Sequence, residues 1–178
     1  MFYAADDALV GALPRDLALP GTVERLSHDV ARGLGEGADV ARRVSARFLG
    51  DARARLEASA ALLARLAPRY RVGIVSNFYG NLAAVCSAAP IGRHVGAVVD
   101  SAAVGFEKPD ARIFEAALEA LGTRADRALF VGDSMPRDME GARRLGMPHV
   151  WLKPGARAAC CPDDAVIGRL SELTGVIS

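Results

Sequence analysis

The sequence predicts an α/β protein built on a parallel sheet, and three observations carry that prediction. From residue 72 onward, short apolar runs alternate with stretches of helical periodicity, the pattern of βαβ units. The run Phe130-Val131-Gly132 ends in Asp133, and Asp138 follows five residues later, at the start of the next helical stretch. Ser76, Asp100, Asp133 and Asp138 all fall at the end of an apolar run or just past it. Right-handed crossovers bring all such ends to one edge of the sheet, where open α/β folds place their chemistry.

Taken in order, residues 1–50 show no convincing strand. Pro14, Pro20 and Gly21 interrupt the start, then Val23, Leu26, Val30 and Leu34 mark one helix and Val40, Val44 and Phe48 another. Leu56, Leu63 and Leu66 give a third helix, which leads into a buried strand, Val72-Gly73-Ile74-Val75, ending at Ser76-Asn77. A helix from about Gly80 to Ala88 follows, then a strand from Val95 to Val99 closed by Asp100-Ser101. Pro109 to Leu121 reads as a helix: Ile113, Phe114, Ala117, Leu118 and Leu121 recur at three and four, Pro109 suits a first turn and Gly122 stops it. Ala128 to Val131 is a third strand, Pro136 to Leu145 a helix ended by Gly146, and His149 to Leu152 a fourth strand. The tail from Pro162 carries a short helix around Ile167 to Leu173.

Composition narrows the function. The chain has 178 residues, half of them apolar, and a net charge of +1, so it carries no footprint for nucleic acid or an anionic membrane. No apolar run approaches a bilayer span, and Met1-Phe2-Tyr3 is followed by Asp6-Asp7 rather than a signal-peptide core. Cys86, Cys160 and Cys161 lack metal-ligand spacing, and the adjacent pair does not make a disulfide framework. A cytoplasmic protein is expected. Of the basic residues only Lys108 and Lys153 are lysine; a lysine among so many arginines can mark a place that needs a compact ammonium, which suits Lys108, while Lys153 carries no such meaning.

Four features at strand ends carry chemistry. The Ser76 hydroxyl, with N–H groups around Asn77 and Phe78 at a helix start, suits an anion such as phosphate. Lys108, in Glu107-Lys108-Pro109-Asp110, supplies a point charge on a loop that Pro109 stiffens. Asp133 and Asp138 suit a hard divalent cation such as Mg²⁺, or orientation of the lysine. Plainer roles exist for each: a helix cap at Ser76-Asn77 or at Asp133, a solvated charge at Lys108, a first-turn carboxylate at Asp138. Those roles do not account for all of them occurring in this order, which forms a phosphoryl-binding constellation with Mg²⁺.

Val72-Gly-Ile-Val-Ser76-Asn77, Glu107-Lys108-Pro109-Asp110 and Phe130-Val-Gly-Asp133-Ser-Met-Pro-Arg-Asp138 resemble the second, third and fourth motifs of the haloacid dehalogenase-like hydrolases. The flanks are similar too: Val99-Asp100-Ser101 with Gly105 before the lysine, Arg112-Ile113-Phe114 after it, and Gly141 to Met147 after the acids. The resemblance covers about residues 53–175. It implies a Rossmann-like, doubly wound core over 53–178 and part of a helical cap over 1–52. It also implies Mg²⁺-dependent hydrolysis of a small phosphorylated metabolite. Ser76 and Lys108, with Asn77 beside them, would bind the phosphoryl group. Asp133 would ligate the metal, and Asp138 would support the metal or the lysine.

The family also uses an Asp-x-Asp motif ending its first, central strand, whose carboxylate becomes an aspartyl phosphate. This sequence contains no Asp-x-Asp. Asp6-Asp7 are adjacent, so on a strand they would point to opposite faces; they read as solvated residues near a helix start. Asp163-Asp164 come too late in the chain. The resemblance therefore implies that the first strand, between those ending at Ser76 and Asp133, is missing. Either residues 1–10 fill that place poorly, or the chain closes up, or the true start lies upstream; the last is favoured, and this chain alone is then expected to be weak or inactive. The alternative is a non-catalytic phosphate- and Mg²⁺-binding or protein-interaction module on the same fold. A dehalogenase or phosphomutase ranks third, since nothing favours a halide.

Overall fold

The computed structural model describes residues 6–155 and 165–177. Met1-Phe2-Tyr3, Cys160, Cys161, Pro162 and Asp163-Asp164 lie outside the described residues. A helical hairpin comes first, α1 (Leu19–Gly33) followed by α2 (Ala38–Leu66). Pro20 sits in the first turn of α1, where its missing N–H has no intrahelical partner to lose. Val23 and Ala31 of α1 and Ala41 of α2 are buried, whereas Leu34, Val44 and Phe48 remain exposed. The two helices expected over 40–66 are one helix of 29 residues. Gly50 lies inside it, at a cost of about 1 kcal/mol relative to alanine. Ion pairs one turn apart, Arg47–Asp51 at 3.9 Å and Arg53–Glu57 at 3.0 Å, flank that glycine. The boundary expected at residue 52 thus falls within a continuous helix that serves both the hairpin and the core.

After α2 the chain alternates as expected. The elements are β1 (Gly73–Ser76), α3 (Leu82–Ala88), β2 (Ala97–Asp100), a single-turn α4 (Ser101–Val104) and α5 (Ala111–Leu121). Then come β3 (Phe130–Gly132), a π turn over Met135–Met139 that runs into α6 (Glu140–Arg144), β4 (His149–Leu152), β5 (Ala165–Ile167) and α7 (Leu173–Val176). Helix α5 begins two residues later than its proline suggests, because the Asp110 carboxylate caps it, accepting the Arg112 N–H at 3.0 Å. The Arg112 side chain grips the same carboxylate and holds its pKa down at about 2, against an ordinary 3.8. The tail differs from expectation. Ile167 ends a strand rather than starting a helix, because Ala165-Val166-Ile167 pairs in parallel with β4 and buries Ile167 against Leu66, Val150 and Leu173.

All strand pairs are parallel, but they form two sheets. One is β1–β2, with Gly73 opposite Ala97 and Ser76 opposite Asp100; the other is β3–β4–β5. The same two helices sandwich β1 and β3. On one face Ile74 packs with Leu56, Ala60 and Leu63, and Val131 with Leu62 and Leu66, all from α2. On the other face Val75 and Phe130 both join the cluster of Ile113, Phe114 and Ala117 from α5. The Phe114 and Phe130 rings meet edge-on, centroids 5.0 Å apart. Gly141 lets α6 approach them, since a Cβ there would stand 2.4 Å from Phe114 Cζ. No ladder joins β1 to β3 among the described residues. Among them, too, no helix is long and apolar enough to cross a membrane.

Candidate functional site

The site is assembled where β1 and β3 end. Ser76 is the last residue of β1, and Asn77 opens the loop that follows. That loop is held from several sides. The buried Asp100 carboxylate, ending β2, accepts N–H bonds from Gly80 at 2.8 Å, Leu82 at 3.0 Å and Ala102 at 3.0 Å. The Ser101 hydroxyl accepts the Phe78 N–H at 3.1 Å. Asn81 is fully buried and donates at 2.7 Å to the Leu17 carbonyl and to the Thr22 hydroxyl, tying the loop to the hairpin.

The Asn77 side chain reaches across to the main chain of Lys108. Its Oδ1 accepts the Lys108 N–H at 2.8 Å and its Nδ2 donates to the Lys108 carbonyl at 3.2 Å. The loop carrying Lys108 is therefore fastened to the end of β1 through its main chain. The lysine side chain runs the other way. Its Nζ lies 2.6 Å from Asp138 Oδ1, with 13% of the lysine side chain exposed and 4% of the aspartate, and over the Phe130 ring, 5.8 Å from its centroid.

Asp138 was read above as a second metal ligand or a support for the lysine, and its surroundings match the support role. Oδ1 takes the ammonium, while Oδ2 accepts the N–H groups of Asp133 at 3.1 Å and Ser134 at 2.9 Å. The π turn places the residue there: the Ser134 carbonyl accepts the Met139 N–H at 3.2 Å, five residues on, as well as the Asp138 N–H at 2.8 Å. Gly132 makes room: a Cβ at that position would lie 2.5 Å from Asp138 Cβ. With its oxygens so engaged, Asp138 is poorly placed to ligate a cation directly.

Asp133 is the opposite case. It is exposed, and its carboxylate has no hydrogen-bond or ion-pair partner among the described residues. Its carbonyl is fixed by the Trp151 indole N–H at 3.0 Å, from the neighbouring strand β4. One uncommitted carboxylate at the end of β3 suits Mg²⁺, which commonly takes one or two protein carboxylates and fills its remaining positions with water and phosphate oxygens. No cluster of three or more His, Cys, Asp or Glu able to hold a metal occurs among the described residues. The donor set thus fits a shared metal–phosphate site rather than a closed protein cage.

Ser76, Lys108, Asp133 and Asp138 are in this way linked from the end of β1 to the end of β3: Asn77 to Lys108, Lys108 to Asp138, Asp138 to the Asp133 N–H. Residues 10–146, well over half of the chain, match the family described as haloacid dehalogenase-like hydrolase. The chain belongs to that family. Phosphoserine phosphatase of Thermus thermophilus is 41% identical over 69 residues, 39% of this chain and 28% of that protein. Glyceraldehyde 3-phosphate phosphatase of Methanopyrus kandleri is 41% identical over 58 residues, 33% of this chain and 25% of that protein. The chain thus matches only about a quarter of the length of these relatives. Among solved structures, the putative HAD-hydrolase YfnB of Bacillus subtilis, bound to magnesium, superposes with a TM-score of 0.61 at 19% identity, covering 99% of this chain and 80% of that one. That likeness concerns the fold, a haloacid dehalogenase-like α/β architecture.

Some members of the site were not visible in the sequence. The clamp of Asn77 on Lys108 joins residues 31 positions apart, and nothing local announces it. Asp6, expected to be solvated, instead accepts a hydrogen bond from the Tyr79 hydroxyl on the loop after Ser76, while Asp7 is exposed. Burial, then that bond and the Asp6 charge, push the Tyr79 pKa well above its ordinary 10.0.

Proposed function

We propose that this chain carries the phosphate- and Mg²⁺-binding half of a haloacid dehalogenase-like phosphatase acting on a small phosphorylated metabolite in the cytoplasm. The observation that carries the reading is the contrast between two residues joined through Asp138: Lys108, held at its main chain and at its ammonium, and Asp133, whose carboxylate is uncommitted among the described residues. In this reading the Ser76 hydroxyl and the Lys108 ammonium bind the phosphoryl oxygens, and the Asp138 carboxylate keeps the ammonium aimed at them. Asp133 would hold Mg²⁺, which when bound would neutralise phosphate charge. The phosphatase names of the two relatives support a phosphoester as substrate.

An aspartyl-phosphate route needs a nucleophilic carboxylate in the pocket, and no Asp-x-Asp in this sequence offers one. Among the described residues β1 pairs only with β2 and β3 only with β4, so each keeps one unjoined edge, and such edges favour a partner strand. These two observations also favour a second reading, in which the chain binds phosphate and Mg²⁺ without turnover. Phosphate release from an aryl phosphate with Mg²⁺ separates the two, assayed on this chain and on a form extended at its N-terminus by an Asp-x-Asp strand. The phosphatase reading expects turnover in the extended form and little in the chain alone. An extended form that stays inert across a broad panel of phosphoesters while still binding phosphate selects the second reading.

A further inference from the structure

Phosphate recognition here depends on two groups that belong to different sheets. Ser76 ends β1, whereas the Lys108 ammonium is anchored by Asp138 just beyond β3, and no ladder fixes β1 to β3 among the described residues. Helices α2 and α5 pack on both strands, and a polar contact at the strand ends can fix the finer register of the hydroxyl and the ammonium. The Asn77 amide is built for that task. It is the residue next to Ser76, and its two bonds, to the N–H and the C=O of Lys108, fix both position and rotation of that peptide unit. A planar amide gripping a main chain at two points has little freedom to swing away. The aspartate end alone leaves the flexible lysine stem to follow β3.

We infer that Asn77 is a positioning residue for Lys108, holding the ammonium in register with the Ser76 hydroxyl across the gap between the two sheets, and is not itself an anion ligand. The inference rests on the phosphate-binding reading given above, but part of its test does not. Removing the amide should loosen the lysine without breaking its pair with Asp138, because that contact comes from the opposite side of the loop.

The chain has only two lysines, so selective ¹³C labelling gives two ε-methylene signals, with Lys153 as the internal reference. In Asn77→Ala the Lys108 signal should shift or broaden while that of Lys153 stays in place. A destabilised control far from the site, Leu173→Ala, should move neither. An unmoved Lys108 signal in Asn77→Ala overturns the inference, whether or not phosphate binds. The second measurement is a double-mutant cycle read as affinity for inorganic phosphate with Mg²⁺, using Lys108→Gln, which keeps a donor toward Asp138. Asn77→Ala should weaken binding about tenfold in the native background, the scale of one net hydrogen bond. It should change binding by less than about twofold when Lys108 is already replaced. Equal losses in both backgrounds would mean that Asn77 touches the anion directly and would overturn the proposal. So would a loss of thermal stability with unchanged affinity. If the native chain binds no phosphate at all, the functional reading fails, and the lysine signal still decides the role of Asn77.

Discussion

The loops that follow β1 and β3 are built on the same device with one difference. Each is folded around a buried aspartate that accepts backbone N–H groups: Asp100 takes those of Gly80, Leu82 and Ala102, and Asp138 those of Asp133 and Ser134. Asp100 uses both oxygens on neutral donors and caps the turns that begin α3 and α4. Asp138 uses one oxygen on the Lys108 ammonium. A carboxylate in a nest of amides organises a loop. Adding a cation turns the same loop into part of a charged site, and ties it to a third segment of the chain. The difference teaches where structure ends and chemistry begins in this molecule.

The strongest way to break that comparison is to remove the two aspartates in turn. Asp138→Ala leaves the Lys108 ammonium partly buried without a counter-charge, as well as two N–H groups without an acceptor, and should cost about 3–5 kcal/mol in urea unfolding at neutral pH. Asp100→Ala strands only neutral donors, and near the loop surface water can reach some of them, so it should cost roughly 1–3 kcal/mol. A larger loss for Asp100 than for Asp138 would show that the ion pair adds nothing to the device.

A smaller effect sharpens the view of the β1 side. The Tyr79 pKa is raised in the folded protein, first by burial, so its contribution to stability is complete below its ordinary value of 10.0. As pH climbs past that value the unfolded chain loses its proton first, and the folded state loses stability. Tyr79→Phe should therefore show a shallower fall in urea midpoint from about pH 10 upward than the native chain. An identical fall in both would mean that neither burial nor the Asp6 contact raises the Tyr79 pKa in solution.

Much of this was legible in the sequence, for reasons that differ from residue to residue. The ends of β1, β2 and β3 could be read because apolar runs stop abruptly at Ser76, Asp100 and Asp133, and β4 because His149–Leu152 is bounded by Pro148 and Lys153. Helix α2 reads as two because its apolar positions fall in two groups, Val40 to Phe48 and Leu56 to Leu66, whereas one ion pair spanning Gly50 and another just after it carry the helix through. Strand β5 is three residues long, too short for any period to show. The lysine-supporting role of Asp138 was among those the sequence offered, whereas the Asn77 clamp was hidden for another reason: a side chain's partner thirty residues away is set by the fold, not by spacing. Residue types at strand ends announced that chemistry happens there, and only geometry divided them into groups that bind and groups that position.

The central claim is that Ser76, Lys108 and Asp133 face one shared phosphate–Mg²⁺ site, and its most direct test is inorganic phosphate binding followed by ³¹P NMR with and without Mg²⁺. The account predicts Mg²⁺-enhanced binding that Lys108→Gln weakens at any Mg²⁺ level, and whose Mg²⁺ enhancement Asp133→Asn abolishes while shifting stability by no more than about 0.5 kcal/mol. Phosphate binding that ignores both substitutions, or that persists unchanged without the metal, would contradict it.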